Sequence, residues 1–538
     1  MRRKPYLLRA FVALLALSLL AAACGGDDGE GEGEGTGTDT ETPAGGGTII
    51  HGWTESIVSL DPAGSYDLGS WNIVYNVMSG LLEVEPGGSE PVPALAESCE
   101  FTDDETYTCA LREGVTFSDG STLTSEDVAT SFERNILIDD PNGACSLLSA
   151  IADCGKWTGK EIDTPDDLTV TFNLRAPDAT WPFVLTTGAA YIVPSEYPMD
   201  ALQPDDQVIG SGRYTVAEYR PGEQLVLEAN PDYFGVAPIN DRVIVQFFDK
   251  SSALKLALEQ GEVDIGWRTF TPTDVASMRE NSDLQVLEGP GAEIRYLGFN
   301  LSFEPGNELA VRQAVAMTID RQAIVDNVYN GTVQPLYSMV PVGYEGAIPS
   351  FADLYGESPD VEGAAGVLAD AGIETPVELE IWWTPTHYGD ASADEYAEIQ
   401  RALEDSGLFT VTLKSTEWDQ YIEAALTDQY PIYQLGWFPD FTDPDNYVGV
   451  FYSSSSFLNN HYENAEVDDL IAQERASTDP AERTAIFEQL QTIGAEDVPI
   501  VPIWQATQIA VVRQNVVGVQ DTLDASYQFR YWMIGKTE

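Results

Sequence analysis

The chain has 538 residues, 43 % hydrophobic and 10 % aromatic, which is material for two or three domains with substantial cores. Its 88 acids against 26 bases give a formal net charge of −62, which excludes a phosphate-backbone partner because nucleic-acid binding needs a basic surface. That acid load fits a heavily solvated surface and a salty or alkaline habitat that screens self-repulsion.

The N-terminus carries Arg2, Arg3 and Lys4, then an apolar run from Phe11 to Leu20, then Ala21, Ala22 and Ala23 before Cys24. This is the order of an export signal, and the run is too short for a membrane span with no stop-transfer flank. Small residues ending at a cysteine resemble the lipobox of bacterial lipoproteins, although Ala21 fills the place where a lipobox carries Leu and Leu20 stands one place earlier. Cys24 is therefore the expected lipidation site. Gly25 to Gly47 is Gly, Glu, Asp and Thr without apolar periodicity, a disordered, self-repelling tether. Anchor and tether together place the folded part on the extracytoplasmic face of the cell membrane.

From Thr48 the pattern settles into alternating strands and helices. Thr48 to Trp53 reads as a strand and Trp71 to Gly80 as a helix, with Ile73, Val74, Val77 and Met78 on one face. Apart from Cys24 there are four cysteines, Cys99, Cys109, Cys145 and Cys154, and an even number in an exported chain points to disulfides. Three pairings are open. The local one, Cys99–Cys109 across a hairpin and Cys145–Cys154 closing a second small loop, is the expectation. No CxxC or histidine partner accompanies them, so no metal site is expected.

Residues 94 to 135 hold that hairpin, a Phe117-Ser118-Asp119-Gly120 turn and a helix starting at a Thr/Ser cap with Asp127 in its first turn. Leu111, Arg112, Gly114, Val115, Phe117, Asp119, Gly120, Leu123, Thr124, Glu126, Asp127, Val128 and Arg134 make a segment that closely resembles the signature of the extracellular solute-binding proteins of family 5, the peptide/nickel group of ABC-importer receptors. The resemblance continues through GSGRYTVAEYRPGEQLVLEANPDYFG (210 to 235, with Arg213 where the family commonly has Pro) and YLGFNLSFEPGNELAVRQAVAMTIDRQAIVDNVYNG (296 to 331). Between these, Leu254 to Glu259 is a helix ended by Gln260-Gly261 and followed by a strand, Val263 to Ile265. In the second, Asp320 caps a helix stopped at Asn330-Gly331. In the tail, Asp479, Pro480 and Glu482 open a helix, and residues 498 to 504 form a strand.

The resemblance covers nearly everything from residue 48 to 538. It implies an α/β, two-lobed periplasmic-binding-protein-like fold of type II with the extra subdomain of the peptide-binding group. Lobe one would be about 48 to 297, completed by 504 to 538, and lobe two 298 to 503. The chain would cross near Tyr296 to Asn300 and again near Pro502 to Gln505. It further implies a monomeric receptor that closes on its ligand like a jaw and delivers it to the permease subunits of an ABC importer, without a cofactor.

The candidate site centres on GWFPDFTDPDNYVGVFYSS, residues 436 to 454, where a strand (Ile432 to Leu435) runs into a loop of acids, aromatics and prolines. Such a loop offers apolar area and a few orienting charges, though Pro-Asp and Asp-Pro are also turn chemistry. In the peptide-binding branch a Gly-Trp-x-x-Asp loop supplies an Asp for the peptide's α-ammonium group. Gly436, Trp437 and Asp440 fill that pattern, making Asp440 the first ligand contact, with Trp437 and Phe438 as stacking area. Arg268, after Trp267 and the Val263 to Ile265 strand, suits a carboxylate fork. Trp382 and Trp383 follow the strand Val377 to Ile381 where some relatives present a basic residue, Trp504 sits at the second crossing, and Trp53 and Glu55 end the first strand. An oligopeptide is the expected ligand. An oligosaccharide on the tryptophans is the alternative in the same class, and a surface glycosidase or a transporter-free sensor the alternatives outside it. With three histidines (His51, His387, His461), none in a His-Glu-x-x-His spacing, and no P-loop or convincing Gly-x-Ser-x-Gly elbow, neither nickel cargo nor hydrolase chemistry finds its residues.

Overall fold

A computed structural model describes residues 46–268, 270–385, 387–389 and 391–537. The export segment, Cys24 and the tether up to residue 45 lie outside the described residues. The body is organised on one eleven-stranded sheet. Its strands are β1 (Thr48–Trp53), β2 (Tyr214–Arg220), β3 (Gln224–Ala229), β4 (Arg242–Phe247), β5 (Ile265–Trp267), β6 (Leu284–Phe299), β7 (Val333–Pro335), β8 (Val377–Trp383), β9 (Phe409–Ser415), β10 (Ile432–Trp437) and β11 (Ile500–Arg513). Their order is β9-β8-β10-β6-β11-β5-β1-β4-β3-β2, with β7 paired to β11 off this path.

Two strands, β6 and β11, are long enough to belong to both lobes. They pair antiparallel from Leu284↔Arg513 to Gly298↔Ile500, interrupted between Pro290 and Ile294. On one side of the interruption Ala292, Ala510 and Val512 join a first-lobe core with Ile49, Val243, Val245 and Ile265. On the other, Leu297, Phe299, Val501 and Ile503 join a second-lobe core with Leu379, Ile381 and Ile399. Gly291 is required at the switch, because a Cβ there would overlap the Ala506 carbonyl. The switch points lie slightly before Tyr296 in β6 and slightly after Gln505 in β11. The strands run unbroken through the junction, so no turn residue marks it. After β11 the chain returns to the first lobe, where Val516, Leu523, Tyr527, Phe529 and Tyr531 are buried.

The local readings map onto this frame with small shifts. The first helix, α1 (Leu68–Val77), starts before Trp71 because the Asp67 side chain caps it, accepting from Ser70 N at 2.8 Å. Strand β5 begins at Ile265, where the expected strand ends, and extends to Trp267. The subdomain is a four-stranded antiparallel sheet (Ala96–Asp103, Thr106–Leu111, Thr169–Asn173, Ile162–Asp166, in that order). Cys99 lies opposite Cys109 in this sheet and is bonded to it, and Cys145 is bonded to Cys154. Helix α2 (Ser125–Ile138) covers the sheet, and the Asp127 carboxylate accepts from Thr124 N at 2.8 Å.

Arg134 lies on α2 four residues before its end and ties the helix to the first lobe. It is 1 % exposed and meets both oxygens of Asp61, itself fully buried, at 3.2 and 2.8 Å, while Nε donates to the Pro198 carbonyl at 2.7 Å. Removing one partner of a buried pair strands the other charge, at a cost of about 3–5 kcal/mol. Arg134→Ala is therefore expected to lower the unfolding free energy, read from urea denaturation, by an amount in that range. A change below 1 kcal/mol would show that water or another cation replaces the guanidinium.

Candidate functional site

The loop after β10 is held by one side chain. Asn446 sits in the first turn of α3 (Asp445–Tyr452), a helix inside the stretch read from sequence as loop. Its Oδ1 accepts from Asp440 N at 2.9 Å and from Trp437 Nε1 at 3.0 Å, and its Nδ2 donates to Asp440 Oδ2 at 3.2 Å. The loop then bridges to the first lobe. Phe438 packs edge-on against Tyr527, with ring centroids 5.9 Å apart, Thr442 Oγ1 donates to the Ser89 carbonyl, and the Tyr66 hydroxyl hydrogen-bonds Asp440.

Between the lobes lie two communicating chambers of about 820 and 550 Å³, which share Arg268, His387, Tyr388 and Phe438. Both are in the size range of small-molecule sites. The larger is walled by Tyr66, Trp71, Trp418, Trp437 and Phe457 and contains Glu55, Asp67 and Asp440. The smaller contains Glu293, Arg295, Tyr329 and Trp504. Burial without a cationic partner pushes the Asp440 carboxyl up to about 6, against the opposing hydrogen bonds from Tyr66 and Asn446. His387 is held down at about 4 by desolvation and the Arg295 charge, and is neutral at pH 7.

Arg268 reaches the cleft from the end of β5, in the left-handed region at φ 60°. Its guanidinium lies 4.5 Å from the Phe438 ring centroid and 3.3 Å from Glu55 Oε1. Arg295, in β6, donates to Glu293 Oε1 at 2.6 Å and lies between the rings of Tyr388 (3.9 Å) and Trp504 (4.6 Å). It pairs across the sheet with Gly436, where a Cβ would overlap Arg295 Nη1. The glycine of the Gly-Trp-x-x-Asp loop is thus the space the guanidinium occupies.

Of the sequence-predicted residues, Asp440, Trp437, Phe438, Arg268 and Trp504 line these chambers, as does Glu55. Three do not. Trp267 is 5 % exposed inside the first-lobe core, with Nε1 donating to Gln508 Oε1. Trp382 stacks on Tyr430 at 4.0 Å and donates to Glu380, and Trp383 packs by Tyr396 on the second-lobe core. Neighbouring residues of a strand point to opposite faces, and the elements packed on β8 cover both. Among the described residues of this segment the cleft is reached by the loop beyond, through His387, Tyr388, Gly389 and Ala391. His387 and Tyr388, with Asp67, Trp71, Trp418 and Asn446, carried no motif. Glu293 and Arg295 did leave a trace, being the only charges from Gly289 to Phe303. One grouping of metal-type ligands occurs among the described residues, Asp139 with Cys145 and Cys154, and its sulfurs are taken by their disulfide.

The other loop acids are structural. Asp445 pairs with Arg475 of α4 (Ala465–Ala476) at 2.9 and 3.0 Å. Asp443 pairs with Arg483 of α5 (Pro480–Asp497) at 2.7 and 2.9 Å, and Arg483 also meets buried Glu474. Three buried carboxylates face two guanidinium groups. Desolvation, then the Asp445 charge, pushes Glu474 well up and favours its protonated form.

This two-lobed body, with its cleft at the strands joining the lobes, is that of a substrate-binding protein and not an enzyme. The model of the bacterial extracellular solute-binding proteins, family 5, matches residues 90–459, and the chain belongs to that family. It is 28 % identical over 459 residues to di/tripeptide-binding protein 3 of Pseudomonas aeruginosa, covering 81 % of this chain and 85 % of that protein. It is 26 % identical over 544 residues to heme-binding protein A of Haemophilus influenzae, covering 95 % and 96 %. The structure of the ABC transporter substrate-binding protein CtaP of Listeria monocytogenes superposes with a TM-score of 0.80 at 24 % identity, covering 92 % of this chain and 100 % of that one. Among the described residues no helix is long and apolar enough to cross a membrane.

Two outcomes follow from the packing. Gly436→Ala is expected to destabilise by about 1–3 kcal/mol, the cost of overpacking, and the penalty should vanish in an Arg295→Ala background, read as coupling in a double-mutant cycle. Additive effects would mean the loop moves aside. Glu474's raised value makes its contribution full below the ordinary Glu range and lost as pH rises toward the elevated value. Glu474→Gln, permanently neutral, should therefore gain on wild type in thermal midpoint as pH rises above the ordinary Glu range, and a growing deficit would show that Glu474 is ionised.

Proposed function

We propose that the protein captures an oligopeptide between its lobes and delivers it to the permease of an ABC importer. It would be held as a monomer on the outer face of the cell membrane by a lipid on Cys24. The carrying observation is Asp440, a desolvated carboxylate in the interlobe cleft that no cationic side chain pairs with among the described residues. A peptide α-ammonium supplies that charge and makes a charge-assisted hydrogen bond. Trp437 and Phe438 would cover the adjoining backbone and side chain, Arg268 would meet a carboxylate, and Trp504 would floor the smaller chamber. The names of the peptide-binding relatives support this reading. Closure would turn on the switch points of β6 and β11, stabilised by the difference in ligand contacts between closed and open forms.

The test is calorimetric titration of the protein lacking its first 47 residues with di- to tetrapeptides and with α- and β-linked oligosaccharides. Peptides with a free amine should bind, and Asp440→Asn should weaken them by roughly 30-fold to 5 × 10³-fold, matching about 2–5 kcal/mol for truncating a buried charge pair. Ligand ammonium favours ionised Asp440, so affinity should be highest near pH 7, fall toward tenfold per unit below about pH 6, and fall again above about pH 8 as the free peptide amine loses its proton. Sugar binding that survives Asp440→Asn, with peptides inert, would overturn the peptide reading.

A further inference from the structure

Among the described residues, the charges facing the cleft do not balance. Each arginine in it is already matched, Arg268 by Glu55 at 3.3 Å and Arg295 by Glu293 at 2.6 Å. His387 is neutral, and no lysine lines either chamber. Two carboxylates in the larger chamber, Asp440 and Asp67, are left without a cation. Asp67 spends one oxygen on the α1 cap, while its Oδ2 is buried with no hydrogen-bond partner. The two acids share one wall, because Asp67 follows Tyr66, whose hydroxyl meets Asp440.

A peptide with one ammonium and one carboxylate brings no net charge into this space. Its carboxylate would also have to share Arg268 with Glu55 or Arg295 with Glu293. One ammonium at Asp440 leaves Asp67 uncompensated as the cleft loses water, and an unpaired buried charge is costly. The surrounding surface suits a second cation, since Trp71 and Tyr66, with ring centroids 5.6 Å apart, line the chamber beside Asp67. The protein's own Arg268 and Arg295 already use aromatic faces in the same cleft.

We infer that the cleft selects peptides of net positive charge, with the α-ammonium at Asp440 and a basic side chain beside Asp67 against Trp71 and Tyr66. This rests on the peptide reading of the site. It makes Asp67 a specificity-determining residue, and the unequal charge of the two chambers the source of selection among peptides of similar size.

The experiment is calorimetric titration at pH 7.5 and low salt with tri-alanine and its single lysine and single glutamate substitutions at each position. Wild type, Asp67→Asn and Glu55→Gln are compared, each checked for a native melting transition. Asparagine caps a helix as well as aspartate does, so the first change removes charge and keeps α1. In wild type the best lysine peptide should bind at least tenfold tighter than tri-alanine, with glutamate peptides weakest, and added salt should compress the series. Asp67→Asn should cut the lysine-to-alanine ratio at least fivefold, and Glu55→Gln, which frees Arg268, should raise glutamate-peptide affinity. Equal affinities across the wild-type series would overturn the inference and leave the peptide receptor standing, as would a lysine preference untouched by Asp67→Asn. Failure of every peptide to bind would overturn both.

Discussion

The antiparallel pairing of β6 with β11 is the constraint on which the rest depends. Its backbone hydrogen bonds run from the first-lobe core into the second, and buried backbone groups cannot exchange such partners for water without cost. The two lobes are therefore neither independent bodies on a flexible string nor one rigid block. The ladder shifts register between Pro290 and Ile294, where Gly291 lies against the Ala506 carbonyl, and again between Arg295 and Tyr296. Arg295 and Glu293 stand beside these points, so the residues that shape the smaller chamber are carried by the strand about which closure would turn.

A chain of net charge −62 has few cations to spend inside, and the buried ones are set against specific geometry. Arg134 clamps Asp61, and Arg530 meets Asp524 at 2.7 Å. Among the described residues Arg312 forms no ion pair, donating instead to the carbonyls of Gly306, Asn307, Asp497 and Val498. Arg321 does the same for Pro502, and desolvation holds it down at about 10. A planar group with five donors can close a helix end or a strand crossing where a lysine cannot. The cleft follows the same economy, with its two arginines matched by two glutamates and its remaining acids turned toward the ligand space.

Much of the fold was legible because local chemistry and tertiary packing agree. Asp320 and Asp479 accept backbone hydrogen bonds at the starts of their helices, and Gly261 ends its helix in the left-handed conformation. The cysteines read as a hairpin staple lie opposite one another. The cleft lining was legible where a residue sits in a motif that itself forms the loop, as with Gly436, Trp437 and Asp440. It was misread where the evidence was only a tryptophan near a strand end. A tryptophan satisfies a core and a cleft equally well, and the face it takes depends on strand parity and on what covers the sheet, as Trp267, Trp382 and Trp383 show. Tyr388, Asp67 and Trp418 converge from segments far apart in the chain, and no short-range pattern encodes that meeting.

The return of residues 514 to 537 to the first lobe bears on the order in which the molecule can be made. Val516, Leu523, Phe529 and Tyr531 complete the same core as Ile49 near the start of the folded body, and Asn240 bridges to the Tyr531 and Ile534 carbonyls. The lobe begun at Ile49 is thus finished by a segment that follows the whole second lobe in the chain. No single cut between the lobes yields two self-contained pieces, and a chain lacking residues 514 to 537 would leave an open apolar seam on the first lobe. The second lobe is therefore an insertion that must be in place in the chain before the first lobe's core can close.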